Sequence, residues 1–133
     1  MEFNKLLEEL KQLNLPTNKF AIFGSGPMAV RKIREAKDID VLVFPDILIE
    51  FAKNYPINDH NGNVVIGNIE LCKSCEPLTE KIEKLIETAE IIEGIPFVSL
   101  EYILQFKKKL NREKDKIDVE LIENYLSKQN KKY

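Results

Sequence analysis

The sequence predicts a single α/β domain in which helices flank a mixed β-sheet and further helices follow at the C-terminus. Its 133 residues are the length of one domain. Segments with helical spacing of apolar residues alternate with short apolar runs, as they do in α/β proteins. An Asn-Gly turn between segments of strand character indicates at least one antiparallel pair, so we expect the sheet to be mixed.

Helix and strand signals alternate in the first half of the chain. Leucines at helical spacing follow Phe3, and Pro16 ends their helix. The apolar run at 20–23 predicts a buried strand. Pro27 suits the first turn of the next helix, because proline lacks the N–H that would be unpaired there. The predicted elements are a helix over 3–13, a strand over 20–23, a helix over 27–37, a strand over 38–44 and a helix over 45–53.

Turn and cap signals divide the second half. Gly67 separates two short strands, Pro77 begins a helix, and Ser99 is a typical N-cap residue. The predicted elements are strands over 64–66 and 68–72, a helix over 77–87, extended pieces near 91–92 and 96–98, a helix over 99–110 and a last helix from 112 or 115 to 126.

The charge and the apolar content of the sequence argue against nucleic-acid and membrane partners. The net charge is −2, from 20 basic and 22 acidic side chains, so the chain lacks the overall positive charge typical of nucleic-acid-binding proteins. No apolar run approaches the roughly 20 residues of a membrane span. The N-terminus lacks the basic and then apolar layout of a secretory signal. We therefore expect a cytoplasmic protein with no membrane partner.

A glycine turn follows the first predicted strand. Gly24, Ser25 and Gly26 lie between that strand and a helix N-terminus, an arrangement in which backbone N–H groups and the helix dipole favour a phosphate group. The Ser25 hydroxyl adds a donor. A plain tight turn with Ser25 as the N-cap is an equally good interpretation of these residues alone.

Two carboxylates open the next strand. Asp38 and Asp40 are two positions apart, so both lie on one face of the strand, about 7 Å apart, and repel each other. A divalent cation would turn this repulsion into attraction, and Mg²⁺ typically uses one or two carboxylates together with substrate phosphates. The alternative is a pair of solvated aspartates at a strand end.

A dinucleotide-binding fingerprint competes with this interpretation. The run from Gly24 to Ala29 fits G-x-G-x-x-A after a strand, and Asp46 lies about 20 residues further on, where a ribose-binding acid is expected. This hypothesis leaves Asp38 and Asp40 without a role, and the Asn-Gly hairpin interrupts the βαβαβ order that it requires.

The Gly24-Ser25 turn followed by Asp38-x-Asp40 on a strand resembles the DNA polymerase beta-type nucleotidyltransferase superfamily, most of all its small single-domain prokaryotic members. The resemblance implies that the turn holds a triphosphate and that the aspartates bind Mg²⁺. It also implies a third metal-binding acid on a later strand, and the matching position is Glu70. We expect these three acids to share one face on adjacent strands, to have raised pKa values and to form a cluster without basic side chains.

The C-terminal segment extends the resemblance. The run from Val98 to Glu101 and the R-x-K-D-x-x-D pattern from Arg112 to Asp118 are similar to a helical segment of many small members. That likeness implies that Lys109 and Arg112 lie near the nucleotide. The helix after the glycine turn is also basic, and its Arg31 would help to clamp a triphosphate if the two regions converge.

The resemblance implies a nucleotidyltransferase that transfers a nucleoside monophosphate from an NTP to an acceptor hydroxyl with Mg²⁺. It leaves the acceptor, the preferred base and the oligomeric state open. A second hypothesis is a non-catalytic, antitoxin-like subunit of the same fold that pairs with a helical partner protein or with a second copy. A dinucleotide-binding protein is the third.

The cysteines and the single histidine carry weaker signals. Cys72 and Cys75 form a C-x-x-C pair, but the chain has only these two cysteines, whereas structural zinc sites use four ligands. We therefore predict buried, unreactive thiols. His60 lies beside the Asn-Gly turn and is predicted to be a solvated loop residue.

Overall fold

The computed structural model describes residues 2–130, and only the backbone of Asn130. Within this range, six strands and six helices follow one another along the chain. The strands are β1 (Phe20–Phe23), β2 (Ile39–Val43), β3 (Val64–Ile66), β4 (Ile69–Cys72), β5 (Glu90–Ile92) and β6 (Ile95–Phe97). The helices are α1 (Phe3–Lys11), α2 (Gly26–Ala29), α3 (Pro45–Ala52), α4 (Ile82–Glu87), α5 (Leu100–Leu110) and α6 (Glu113–Asn130).

The strands form one sheet in the order β3-β4-β2-β1-β6-β5. β1 is antiparallel to β2 and parallel to β6, β2 is parallel to β4, and the two outer pairs are antiparallel. The predicted fold class, a mixed α/β sheet flanked by helices with C-terminal helices, is confirmed. The antiparallel β1–β2 pair is not the parallel βαβ unit of a dinucleotide-binding fold, so the topology does not support that hypothesis.

Strand alternation gives the sheet two apolar faces. One face carries Ile22, Val41 and Leu71 and packs against α1 and α3. The other carries Leu42 and Cys72 and packs against α4, α5 and α6. Because side chains alternate along a strand, the acids between these apolar positions lie on the second face, at the ends of the strands beside α5.

The helix after the glycine turn is much shorter than predicted. α2 ends at Ala29 instead of near Lys37, because Lys32 adopts a left-handed conformation with φ of 60°. The amide of Ile33 donates to the carbonyl of Met28 and that of Lys32 to the carbonyl of Ala29, each at 3.0 Å. This is a Schellman ending, and here it uses a lysine where glycine is usual.

The second half differs from the prediction at two helix ends. α4 begins at Ile82, five residues after Pro77, because the segment before it forms a turn in which the Leu78 amide donates to the Cys75 carbonyl. Ser99 caps α5 as predicted, since its hydroxyl accepts from the amide of Tyr102. The last helix begins at Glu113 and continues past the predicted end to Asn130.

Among the described residues, no helix combines the length and the apolar character needed to cross a membrane.

Candidate functional site

The glycine turn lies directly over the carboxylate of Asp40. Phe23, the last residue of β1, pairs with Asp40 of β2, so the next residue, Gly24, passes the carboxylate at close range. Gly24 has a φ of +63°, and a Cβ built on it would lie 2.8 Å from Oδ2 of Asp40. Both conditions favour glycine at this position.

Gly26 has a different reason to be glycine. A Cβ on Gly26 would lie 2.3 Å from Cγ2 of the buried Ile22, so the close approach is to the core. α2 has only four residues, and its dipole is correspondingly smaller than the predicted longer helix would provide. Ser25 lines the same cavity as Asp40, whereas Gly26 is not among its lining residues.

Asp40 and Glu70 face each other across the parallel β2–β4 pair. They are register partners on adjacent strands; the adjacent strands were expected from the resemblance, and the register is a finding of the structure. The pKa of Asp40 is raised to about 6, first by burial and then by the negative charges of Asp38 and Glu70. Lys107 lies near enough for its charge to oppose this shift. A base therefore lies near the acids that were expected to cluster without basic side chains.

Among the described residues, the group whose side chains could together hold a metal ion differs from the predicted trio. Ligand atoms of Asp40, Glu70 and Cys72 lie within 4.8 Å of one another, and Asp38 is outside this group. Asp38 precedes β2, is exposed and lines a cavity together with Asp40. Burial, followed by the charges of Asp40 and Glu70, raises the pKa of the Cys72 thiol, which favours the protonated form that binds metals poorly. The two carboxylates are the oxygen donors that Mg²⁺ prefers, so the residues fit that ion.

Asn63 orients Glu70. Its side-chain amide donates to Oε2 of Glu70 at 2.7 Å and to the sulfur of Cys72 at 3.5 Å. Asn63 is buried, and its backbone amide donates to Oδ1 of Asn61 at 2.9 Å. Sequence reasoning missed this residue, although its position beside the Asn-Gly turn was the available signal.

Two cavities meet at Asp40. The Ser25 cavity, about 570 Å³, is lined by Gly24, Ser25, Asp40 and Phe106 together with charged side chains. Its other acids are Glu35, Asp38, Asp115 and Asp118, and its bases are Arg34, Lys37, Lys107, Arg112 and Lys114.

The Asn63 cavity, about 290 Å³, is also lined by Asp40. Its acidic residues are Asp40, Glu70 and Glu76, and the described residues that line it include neither lysine nor arginine. Gly24, Asp40 and Phe106 line both cavities. The two cavities that share Asp40 therefore differ sharply in the charged residues that line them.

Buried aspartates hold the bases of the Ser25 cavity. Lys107 is 6% exposed, and its ammonium nitrogen lies 2.9 Å from Oδ2 of Asp118. Nη1 of Arg34 donates to both Asp118 oxygens, at 3.2 and 3.1 Å. These contacts join the segment after α2 to α5 and α6.

A second aspartate holds Arg112, the residue before α6. The Arg112 side chain donates to both oxygens of Asp115, at 2.6 and 3.1 Å, and its backbone amide donates to Oδ2 at 3.1 Å. These hydrogen bonds lower the pKa of Asp115 and raise that of Arg112. Arg112 lines the same cavity as Ser25 and Asp40, and its predicted place near a nucleotide stays a prediction.

Two predicted nucleotide-binding residues lie elsewhere. Arg31 pairs with Glu90 and donates to the carbonyl of Pro27 at 2.7 Å, and it lines neither cavity. Lys109 is exposed on α5 and lines neither cavity. The lysine of α5 that lines the Ser25 cavity is Lys107, one turn after the buried Ile103.

The remaining candidates match their predictions. Cys72 and Cys75 are free and buried, and the Cys75 thiol donates to the carbonyl of Glu80 at 3.2 Å. His60 is exposed in the loop before β3.

Comparisons of the chain with protein-family models, with curated proteins and with solved structures gave no match. The resemblance to nucleotidyltransferases therefore stays a prediction.

Proposed function

We propose that the protein transfers a nucleoside monophosphate from an NTP to the hydroxyl group of an acceptor in a Mg²⁺-dependent reaction. One observation carries the proposal: two cavities of different charge meet at Asp40, the register partner of Glu70, beside the Gly24-Ser25 turn. Such an arrangement suits a reaction that brings a phosphate chain and an uncharged hydroxyl to one point.

The Ser25 cavity is the better place for the phosphate chain. Lys107, Arg112 and Arg34 line it, and ammonium and guanidinium groups are the usual partners of phosphate oxygens. The Ser25 hydroxyl is a further donor. The volume of the Ser25 cavity, about 570 Å³, is within the range of small-molecule sites.

The Asn63 cavity is the better place for the acceptor. Glu70 lines it, and Asn63 donates a hydrogen bond to one oxygen of the Glu70 carboxylate. A carboxylate fixed in this way can accept the proton of an acceptor hydroxyl. The acceptor oxygen then attacks the α-phosphorus, the bond to the bridging oxygen breaks, and pyrophosphate leaves towards the bases of the Ser25 cavity.

Asp40 and Glu70 would hold the Mg²⁺ ion, with Asp38 beside them. When bound, the ion would neutralise phosphate charge and make the acceptor hydroxyl more acidic. The carboxylate of Asp40 serves both cavities, because it lines each of them.

Pyrophosphate release from each of the four NTPs tests the proposal. The assay would contain Mg²⁺ and a panel of hydroxyl-bearing acceptors, including sugars, nucleosides and peptides with serine or tyrosine. Asp40→Asn and Glu70→Gln should abolish release, and two exposed-site variants, Asp59→Asn and Glu87→Gln, should retain it. Full activity of Asp40→Asn would contradict the proposal. Tight Mg²⁺–NTP binding without transfer to any acceptor would favour the binding-subunit hypothesis instead.

A further inference from the structure

Asp118 is a buried acid that serves two bases from distant parts of the chain. Its side chain is buried, with 3% of the residue exposed. It accepts hydrogen bonds from Arg34, in the segment before β2, and forms an ion pair with Lys107 of α5. Arg34 and Asp118 are 84 positions apart in the sequence. All three residues line the Ser25 cavity.

Burial of the Lys107–Asp118 ion pair is a poor way to stabilise the folded state. Removing an ammonium group and a carboxylate from water carries a large desolvation penalty, and an apolar pair of similar size often stabilises a fold better. Lys107 is nevertheless buried at the wall of a cavity, near enough to Asp40 to affect its pKa. A role in binding explains why charges are held at this position.

We propose that Asp118 is a positioning residue that holds Lys107 and Arg34 side by side, so that the two bases bind neighbouring groups of a linear phosphate chain. Identification of that chain as the triphosphate of an NTP rests on the proposed function. The binding role itself does not, because inorganic tripolyphosphate presents the same groups.

Removal of the Asp118 charge separates positioning from simple electrostatics. Asp118→Asn takes one negative charge from the wall of the cavity, so charge alone predicts tighter binding of a polyanion. Positioning predicts weaker binding, because Lys107 and Arg34 lose the carboxylate that aligns them. A purely structural role would lower the melting temperature without weakening the dissociation constant of the folded protein.

Calorimetric titration of the full chain with inorganic tripolyphosphate at low ionic strength, once with EDTA and once with Mg²⁺, tests this. We expect Asp118→Asn to bind about tenfold more weakly in both conditions, the size of one lost charged hydrogen bond. Asp118→Glu keeps the charge but displaces it by one methylene, and it should bind with intermediate affinity. The matched control is Glu123→Gln, also on α6, whose carboxylate pairs with Lys108 outside the cavity. It should bind like the wild type.

Unchanged or tighter binding by Asp118→Asn would overturn the inference, as would a wild-type protein that binds no tripolyphosphate. If Asp118→Asn does not fold, Asp118→Glu decides, and wild-type affinity in that variant would overturn the inference. Tripolyphosphate binding without NTP transfer would leave the positioning role intact and remove the proposed function. If the wild type transfers nucleotides and Asp118→Asn binds tripolyphosphate as tightly as the wild type, the proposed function stands and the positioning role of Asp118 is overturned.

Discussion

Gly24 and Asp40 are packed so closely that a Cβ on the glycine would lie 2.8 Å from Oδ2 of the carboxylate. The turn after β1 therefore sets the position of the Asp40 side chain as well as forming part of the cavity wall. Substitution at residue 24 should disturb the acid pair, although Gly24 carries no side chain that could take part in chemistry.

Gly24→Ala should lose Mg²⁺–NTP binding and should destabilise the fold by about 2 kcal/mol. Part of this loss comes from the positive φ and part from the contact with Asp40. Thermal unfolding and calorimetry with a non-hydrolysable NTP analogue would measure the two effects.

Gly67→Ala separates those contributions. Gly67 has a φ of +58°, but a Cβ there would meet nothing within 4 Å. This control should show only the cost of the backbone, about 1 kcal/mol, with binding retained. Equal binding by both alanine variants would show that Gly24 does not position Asp40.

Asp40→Asn should stabilise the metal-free protein at neutral pH. The pKa of Asp40 is raised from 3.8 to about 6, so its contribution to stability is fully present below about pH 4 and is lost as the pH rises through 6. An asparagine carries no charge at any pH. We therefore expect the variant to gain about 1–2 kcal/mol above pH 6 and nothing near pH 4, measured by denaturant unfolding in EDTA.

Added Mg²⁺ should reverse this order, because the wild type gains binding energy that the variant cannot. Asp59→Asn, at an exposed loop position, should show neither effect. A loss of stability in Asp40→Asn at pH 7 without metal would indicate a structural role for the carboxylate.

Asn63→Ala should weaken Mg²⁺ binding while Glu70 itself stays in place. The variant removes the donor 2.7 Å from Oε2 of Glu70 and frees the carboxylate to rotate. Loss of such an orienting partner typically reduces metal affinity about tenfold or more. Titration with Mn²⁺ followed by electron paramagnetic resonance measures it. The control is Asn54→Ala, at an exposed position. Equal Mn²⁺ affinity in the two variants would contradict an orienting role for Asn63.

The positions of Asp40 and Glu70 were predictable because strand alternation acts on both. Each acid interrupts an apolar run, so burial of its neighbours directs it to the opposite face of the sheet. Neighbouring strands were expected from the resemblance, whereas the register that brings the two acids together was not, because it depends on pairing between distant segments.

The basic residues were harder to predict, because tertiary packing selects among chemically equal side chains. Lys107, Lys108 and Lys109 are consecutive, and only the helical phase relative to Ile103 distinguishes the one that lies inward. Arg31 pairs with Glu90 and does not line either cavity. The turn that ends α2 contains a left-handed lysine, Lys32, whereas a glycine there would have predicted the end of the helix. None of these outcomes follows from local preference.

The joint between α5 and α6 has a consequence for the order in which the cavity walls form. The left-handed Asn111, whose amide donates to the Lys107 carbonyl at 2.9 Å, joins two helices that carry Lys107 and Asp118. Contacts within such a helix hairpin close a short loop, whereas the β2–β4 pairing that unites Asp40 and Glu70 closes a longer one. Pulse-labelling hydrogen exchange should therefore find the α5 and α6 amides protected first, so that Lys107 meets Asp118 before Asp40 meets Glu70.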